Sequence, residues 1–186
     1  MSIARTLVAA GFAALVLASA GVDLAQGLRS YDRLAPLAPG KPVPPFDVLL
    51  LDGGRFAQAD LAGRVHVVTF WATWCPYCRD ELDELDAMID DYDPSAVGFL
   101  AVNREGGGLS LDEVRGLTQR YRASTKLRVP IALDDGRMAR AFGVGPIPHT
   151  AIFDREGKLR RVHQGRVSGE TIADDVAALL RESPPG

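Results

Sequence analysis

The chain has 186 residues, 47% of them hydrophobic and 24% charged, with a formal net charge of −3. That balance suits one soluble globular domain able to bury a core without disulfide staples. Lysine and arginine are scattered, the longest basic run being Arg160-Arg161, which excludes a basic surface for nucleic acid.

Met1 to Arg5 carries one positive charge, and Thr6 to Ala20 is almost wholly apolar, ending in the small residues Ala18-Ser19-Ala20. Residues 1–20 are therefore expected to be a secretory signal, with an uncleaved membrane anchor as the rival and a buried helix as the plain alternative. Either of the first two places the protein outside the cytoplasm, in the periplasm or at the cell surface. Residues 21–38 are expected to form a linker, and 39–186 the folded domain. The Pro36–Pro45 stretch favours extended backbone.

Phe46–Leu51 and Arg55–Ala57 flank Asp52-Gly53-Gly54, the signature of a β-hairpin. Val65–Phe70 is a β-branched apolar run and reads as a buried strand. Pro76 opens a helix, where its missing N–H costs nothing, running to about Asp91 with Leu82, Leu85 and Ile89 at core spacing. Val97–Val102 is a second buried strand. Gly106-Gly107-Gly108 lacks a following Lys-Ser/Thr, so it reads as a loop and not a phosphate cradle. A helix starts at Ser110 with a Ser110/Glu113 capping box. Val129–Leu133 gives a third strand and Gly136–Phe142 a short helix. Two further strands, Thr150–Phe153 and Lys158–Val162, are separated by the turn Asp154–Gly157, and a last helix begins near Ser168. Strands alternating with helices, with hairpins at both ends, make an α/β domain with a mixed central sheet.

The two cysteines of the chain both lie in Trp74-Cys75-Pro76-Tyr77-Cys78. A bridge between residues three apart closes a tiny loop and stabilises little, so chemistry explains the pair better than stapling. The motif sits where a strand meets a helix N-terminus, whose unpaired N–H groups and dipole favour a thiolate at Cys75. Cys75 would attack a substrate disulfide, and Cys78, one turn on, would resolve the mixed disulfide. A Cys-x-x-Cys is also half of many zinc sites, but no second such pair and no His-x-His accompanies it, so no metal is expected.

Phe70-Trp71-Ala72-Thr73-Trp74-Cys75-Pro76-Tyr77-Cys78-Arg79 resembles the active-site stretch of the thioredoxin superfamily. The Pro-rich entry with Phe46, Ile147-Pro148 before a strand, and Phe153-Asp154-Arg155-Glu156-Gly157-Lys158 narrow the match. They are similar to the exported TlpA/ResA-like (AhpC/TSA-related) thiol–disulfide oxidoreductases, which include the reductases of cytochrome c maturation. The resemblance covers roughly residues 39–182. It implies a thioredoxin fold with an N-terminal β-hairpin, an enzyme without cofactor, a disulfide-containing protein as substrate and a membrane thiol carrier as electron donor. It also implies a cis bond at Pro148 beside the cysteines, leaving the backbone of Ile147 free to pair with an extended substrate next to Trp74.

Several positions limit the transfer. Thr69 stands on the strand where cytoplasmic thioredoxins carry a buried acid, so that proton acceptor is missing. Glu81 matches the glutamate of the TlpA/ResA-like pattern and lies one turn from Cys78. It could exchange a proton with Cys78, or be one more acid on a solvated helix face with Asp80, Asp83, Glu84, Asp86 and Asp90. His149 could lie beside the cysteines, where an imidazolium would favour the Cys75 thiolate, or at the surface. His66 and His163 read as plain strand positions. The rival function from another class is a copper chaperone using Cys75, Cys78 and His149 as Cu(I) ligands. A thiol peroxidase is a third reading, made less apt by a resolving cysteine so close to Cys75.

Overall fold

The computed structural model describes residues 39, 43–106 and 108–182. The expected leader (1–20) and linker (21–38) lie outside the described residues, among which no helix is long and apolar enough to cross a membrane.

The first two strands, β1 (Asp47–Leu50) and β2 (Arg55–Ala57), pair antiparallel with Val48 opposite Phe56. Their turn needs two residues at positive φ, met by Gly53 (96°) and Gly54 (81°). Next come β3 (Val65–Trp71), buried at every position, and helix α1 (Pro76–Met88). A 3₁₀ turn, Ile89–Asp91, carries the helix on to where the apolar spacing ends. β4 (Val97–Asn103) is again wholly buried. Helix α2 (Leu111–Thr125) begins with the expected box: Ser110 Oγ accepts from the Glu113 N–H (3.3 Å), and Glu113 Oε2 accepts from the Ser110 N–H (2.8 Å). β5 is Ile131–Leu133, two residues shorter than the sequence suggests. Pro130 has no N–H to give a ladder, and the Val129 N–H is taken by the Asp86 carboxylate (2.9 Å). The remaining elements are α3 (Arg137–Ala141), β6 (His149–Phe153), β7 (Leu159–Gln164) and α4 (Gly169–Arg181).

The seven strands form one mixed sheet in the order β2-β1-β5-β4-β3-β6-β7. β3, β4 and β5 run parallel, while β6 and β1 flank them antiparallel. Alternation along β3 sends Val65, Val67 and Trp71 into a core shared with Leu82 and Leu85 of α1 and Ile172 and Val176 of α4. It sends Val68 and Phe70 into a second core with Phe142, Phe153 and Phe56. Two layers of apolar burial thus fix the sheet, and the carboxyl ends of β3, β4 and β5 open on one edge.

Candidate active site

Cys75 sits past the carboxyl end of β3 as the N-cap of α1, with extended backbone (φ −93°, ψ 109°). Pro76 at the first helical position removes one orphan N–H, and the N–H of Cys78 donates to Cys75 Sγ at 3.2 Å. That bond and the helix dipole both favour negative charge on this sulfur when it is reduced. The two cysteines are joined as a disulfide with their Cα atoms 5.3 Å apart. Cys75 is 5% exposed and Cys78 1%.

The Ile147–Pro148 bond is cis, as the resemblance implies. The Ile147 carbonyl oxygen lies 3.9 Å from Cys75 Sγ, so the backbone before Pro148 does border the redox pair. Around this edge stand large hydrophobic side chains left open to solvent: among the described residues these are Trp74 (64%), Tyr77 (65%) and Leu109 (40%).

Glu81 is not on a solvated face; it is 1% exposed. The hydroxyls of Thr69 and Thr150 reach its Oε1 at 2.9 and 2.6 Å, and the Val167 N–H donates to Oε2 at 3.0 Å. Thr69 and Thr150 are directly opposite on β3 and β6, their hydroxyls 2.9 Å apart. The strand position that lacks an acid therefore holds one supplied by the helix. A buried carboxylate without hydrogen bonds would be prohibitive, and these donors satisfy it.

Glu105 is a site residue that the sequence did not single out. It is 8% exposed, and its carboxylate accepts from the Thr73 N–H (3.1 Å), the Thr73 hydroxyl and Asn103 Nδ2 (3.1 Å). Its backbone carbonyl accepts from Trp74 Nε1 at 3.0 Å. The loop before Cys75 is thus tied to the end of β4. No local pattern marks such a residue, because the partners that place it at the site, Thr73 and Trp74, are 32 and 31 positions away.

His149 corrects the expectation placed on it. It is 1% exposed, and its ring packs edge-on against Phe70, in the core on the far side of the sheet from α1. The reason is strand alternation: Thr150 points to Glu81, so its neighbour His149 points away. Neither ring nitrogen has a hydrogen-bond partner among the described residues. Burial, and then the Arg104 cation, lower its pKa, and strand alternation turns its ring to the face opposite Glu81. The Cu(I) ligand set of Cys75, Cys78 and His149 is not assembled. His66 is a structural position: its Nδ1 is 3.1 Å from the Leu61 carbonyl, and burial lowers its pKa. His163 pairs with Asp175 at 2.8 Å, away from the cysteines. Among the described residues no cluster of three or more His, Cys, Asp or Glu is arranged to hold a metal.

A mixed sheet, a Cys-x-x-Cys disulfide at a helix N-terminus and a cis proline against it define a redox protein of the thioredoxin fold. The chain belongs to the AhpC/TSA family, whose model matches residues 39–162. It is similar to the thiol-disulfide oxidoreductase ResA of Bacillus thuringiensis (strain Al Hakam), 28% identical over 147 residues covering 78% of this chain and 79% of that one. Among solved structures it is similar to MTB dsbF in its mixed oxidized and reduced forms (TM-score 0.61, 29% identity, 72% of this chain and 94% of that one). It is also similar to the pneumococcal exposed lipoprotein thioredoxin Etrx1 of Streptococcus pneumoniae strain TIGR4 (TM-score 0.63, 25% identity, 73% and 100%). Within the thioredoxin superfamily the chain is TlpA/ResA-like, a thiol–disulfide oxidoreductase.

Proposed function

We propose that the protein reduces disulfides of protein substrates outside the cytoplasm, in the periplasm or at the cell surface, with cytochrome c maturation as its setting. The observation that carries this is the Cys75–Cys78 disulfide at the mouth of α1, bordered by the Ile147 carbonyl and the exposed Trp74 and Tyr77. A substrate segment lies extended along Ile147 and Pro148 with its disulfide over Cys75. The Cys75 thiolate attacks one substrate sulfur, the other leaves as thiolate and takes a proton, and a mixed disulfide remains. Cys78 loses its proton, attacks Cys75 Sγ and releases the second substrate thiol. Glu81, one helical turn from Cys78, accepts that proton. The resulting Cys75–Cys78 disulfide is returned to the dithiol by two electrons from a membrane thiol carrier, and no bound cofactor enters the cycle.

The name of the pneumococcal neighbour, an exposed lipoprotein, supports an extracytoplasmic setting for this fold branch. Two measurements test the reading. The reduction potential against dithiothreitol should fall near that of thioredoxin, about −270 mV; a value near about −120 mV would mark an oxidant instead. Cys78→Ala expressed with its leader should trap reducible high-mass adducts, and Cys75→Ala should trap none. Adducts with Cys75→Ala alone would reverse the assignment of attacking and resolving cysteines.

A further inference from the structure

Next to the redox pair, along the same edge of the sheet, lies a cleft of about 380 Å³. One wall is formed by Arg104, Gly106, Gly108 and Leu109 after β4; the other is the β5–α3 connection, Asp134 to Gly136, with Arg140. Between its lining residues Arg104 and Gly106 stands Glu105, whose backbone holds Trp74 and whose carboxylate holds Thr73 in the loop before Cys75. The exposed Leu109 lines it.

The charges of the cleft are unevenly spent. The Asp134 carboxylate is consumed by the Met138 and Ala139 N–H groups (3.0 and 2.9 Å), and Asp135 is paired with Arg137 at 2.6 Å. Glu105 is turned to Thr73 and Asn103, and Glu113 to Ser110. Arg104 uses one guanidinium nitrogen on the Val144 and Gly145 carbonyls (3.2 and 2.9 Å) and has no carboxylate partner among the described residues. Arg140 likewise pairs with no carboxylate there, and its Nη1 would stand 2.7 Å from a Cβ at position 136. The guanidinium thus lies close over Gly136, whose φ of +87° favours glycine. The acids are satisfied internally, and neither guanidinium is neutralised by a carboxylate among the described residues.

Building on the proposed reduction of protein disulfides, we propose that this cleft is a specificity subsite for an acidic side chain of the substrate polypeptide. The extended segment that offers its cysteine to Cys75 would run over Trp74 and Leu109 and place an Asp or Glu carboxylate between Arg104 and Arg140. Two planar guanidiniums suit a carboxylate better than a single lysine would. The subsite adds nothing to the chemistry of exchange; it raises the rate at which acidic segments are presented to it.

The test uses short peptides carrying one cysteine as a mixed disulfide with glutathione, with Glu, Gln or Lys placed two to five residues to either side. The full reduced protein should turn over peptides with Glu on one side about two- to fivefold faster in kcat/KM than the Gln series at low salt, and salt should erase the gain. Arg140→Ala should remove that preference and Arg140→Glu should invert it toward Lys. Both variants should reduce the uncharged hydroxyethyl disulfide at the wild-type rate. Equal rates for Glu, Gln and Lys at every position, or a Glu preference surviving in Arg140→Glu, would overturn the subsite while leaving the oxidoreductase reading intact. If the wild type exchanged with no disulfide at all, both would fall.

Discussion

Replacing Glu81 by glutamine separates the chemistry of this residue from its structural part. The amide can be accommodated in full: its carbonyl can accept from the Val167 N–H, and its NH₂ can donate to the Thr69 and Thr150 hydroxyls that now reach Oε1. Stability of Glu81→Gln should therefore stay within about 1 kcal/mol of the wild type. Glu81→Ala is different. The two hydroxyls, 2.9 Å apart, can pair with each other, but the Val167 N–H is left buried without an acceptor. That orphan costs about 1–3 kcal/mol and the cavity adds to it. At roughly 2–4 °C per kcal/mol for a chain of this size, the melting temperature should fall by several degrees. In the mechanism, Glu81→Gln should leave the attack by Cys75 unchanged and slow the release step at Cys78 by about 10²-fold, the scale of a lost general base. Both steps can be followed by stopped flow with a peptide disulfide, mixed disulfide formation being read separately from product release. If Glu81→Gln released product at the wild-type rate from pH 5 to 9 while folding normally, the proton-transfer role would be wrong and Glu81 would be a buried strut only.

Three further outcomes are expected. Glu105→Ala orphans Asn103 Nδ2 and the Thr73 N–H, so it should cost about 1–3 kcal/mol in urea unfolding and lower the fluorescence anisotropy of Trp74; an unchanged anisotropy would detach Glu105 from the loop. Because burial and Arg104 lower the pKa of His149, the unfolded chain binds that proton more readily and the native state loses stability as pH falls below about 6.5. Urea midpoints of the wild type and His149→Phe should accordingly diverge below that pH, and parallel midpoints from pH 8 to 5 would refute the sign. In the reduced protein an alkylating agent should modify Cys75, the N-cap, faster than Cys78, which lies inside the first turn; faster loss of the Cys78 thiol would count against the roles given to them.

How much of this was legible in the sequence depends on the range of the interaction. The hairpin glycines, the Ser110/Glu113 box, Pro76 at the first turn of α1 and the buried strands β3 and β4 are local signals, and each appears where local chemistry puts it. Strand boundaries were less readable where a distant group intervenes, as when Asp86 takes the N–H of Val129 and shortens β5. At the site, the cysteines are visible as spacing. Glu81 is visible as a position, but its burial is not, because that depends on Thr150 and Val167, some seventy and eighty-six residues away.

The pairing of Thr69 with Glu81 shows why a missing residue is a poor guide to missing chemistry. Reading β3 alone, threonine in place of an acid removes a proton acceptor. In the folded chain the threonine shortens the strand side chain and offers a hydroxyl, which makes room for a carboxylate from α1 and satisfies part of it. Thr150, opposite Thr69 in the β3–β6 register, completes the same seat. The same register fixes His149 on the far side, since one residue along a strand reverses the face. The position that carries the acid and the position that excludes the imidazole therefore follow from one fact, the pairing of Thr69 with Thr150. A double-mutant cycle between Thr150→Val and Glu81→Ala measures it. The two substitutions should be coupled by about 1 kcal/mol or more in stability, and additive effects would dissolve the shared seat.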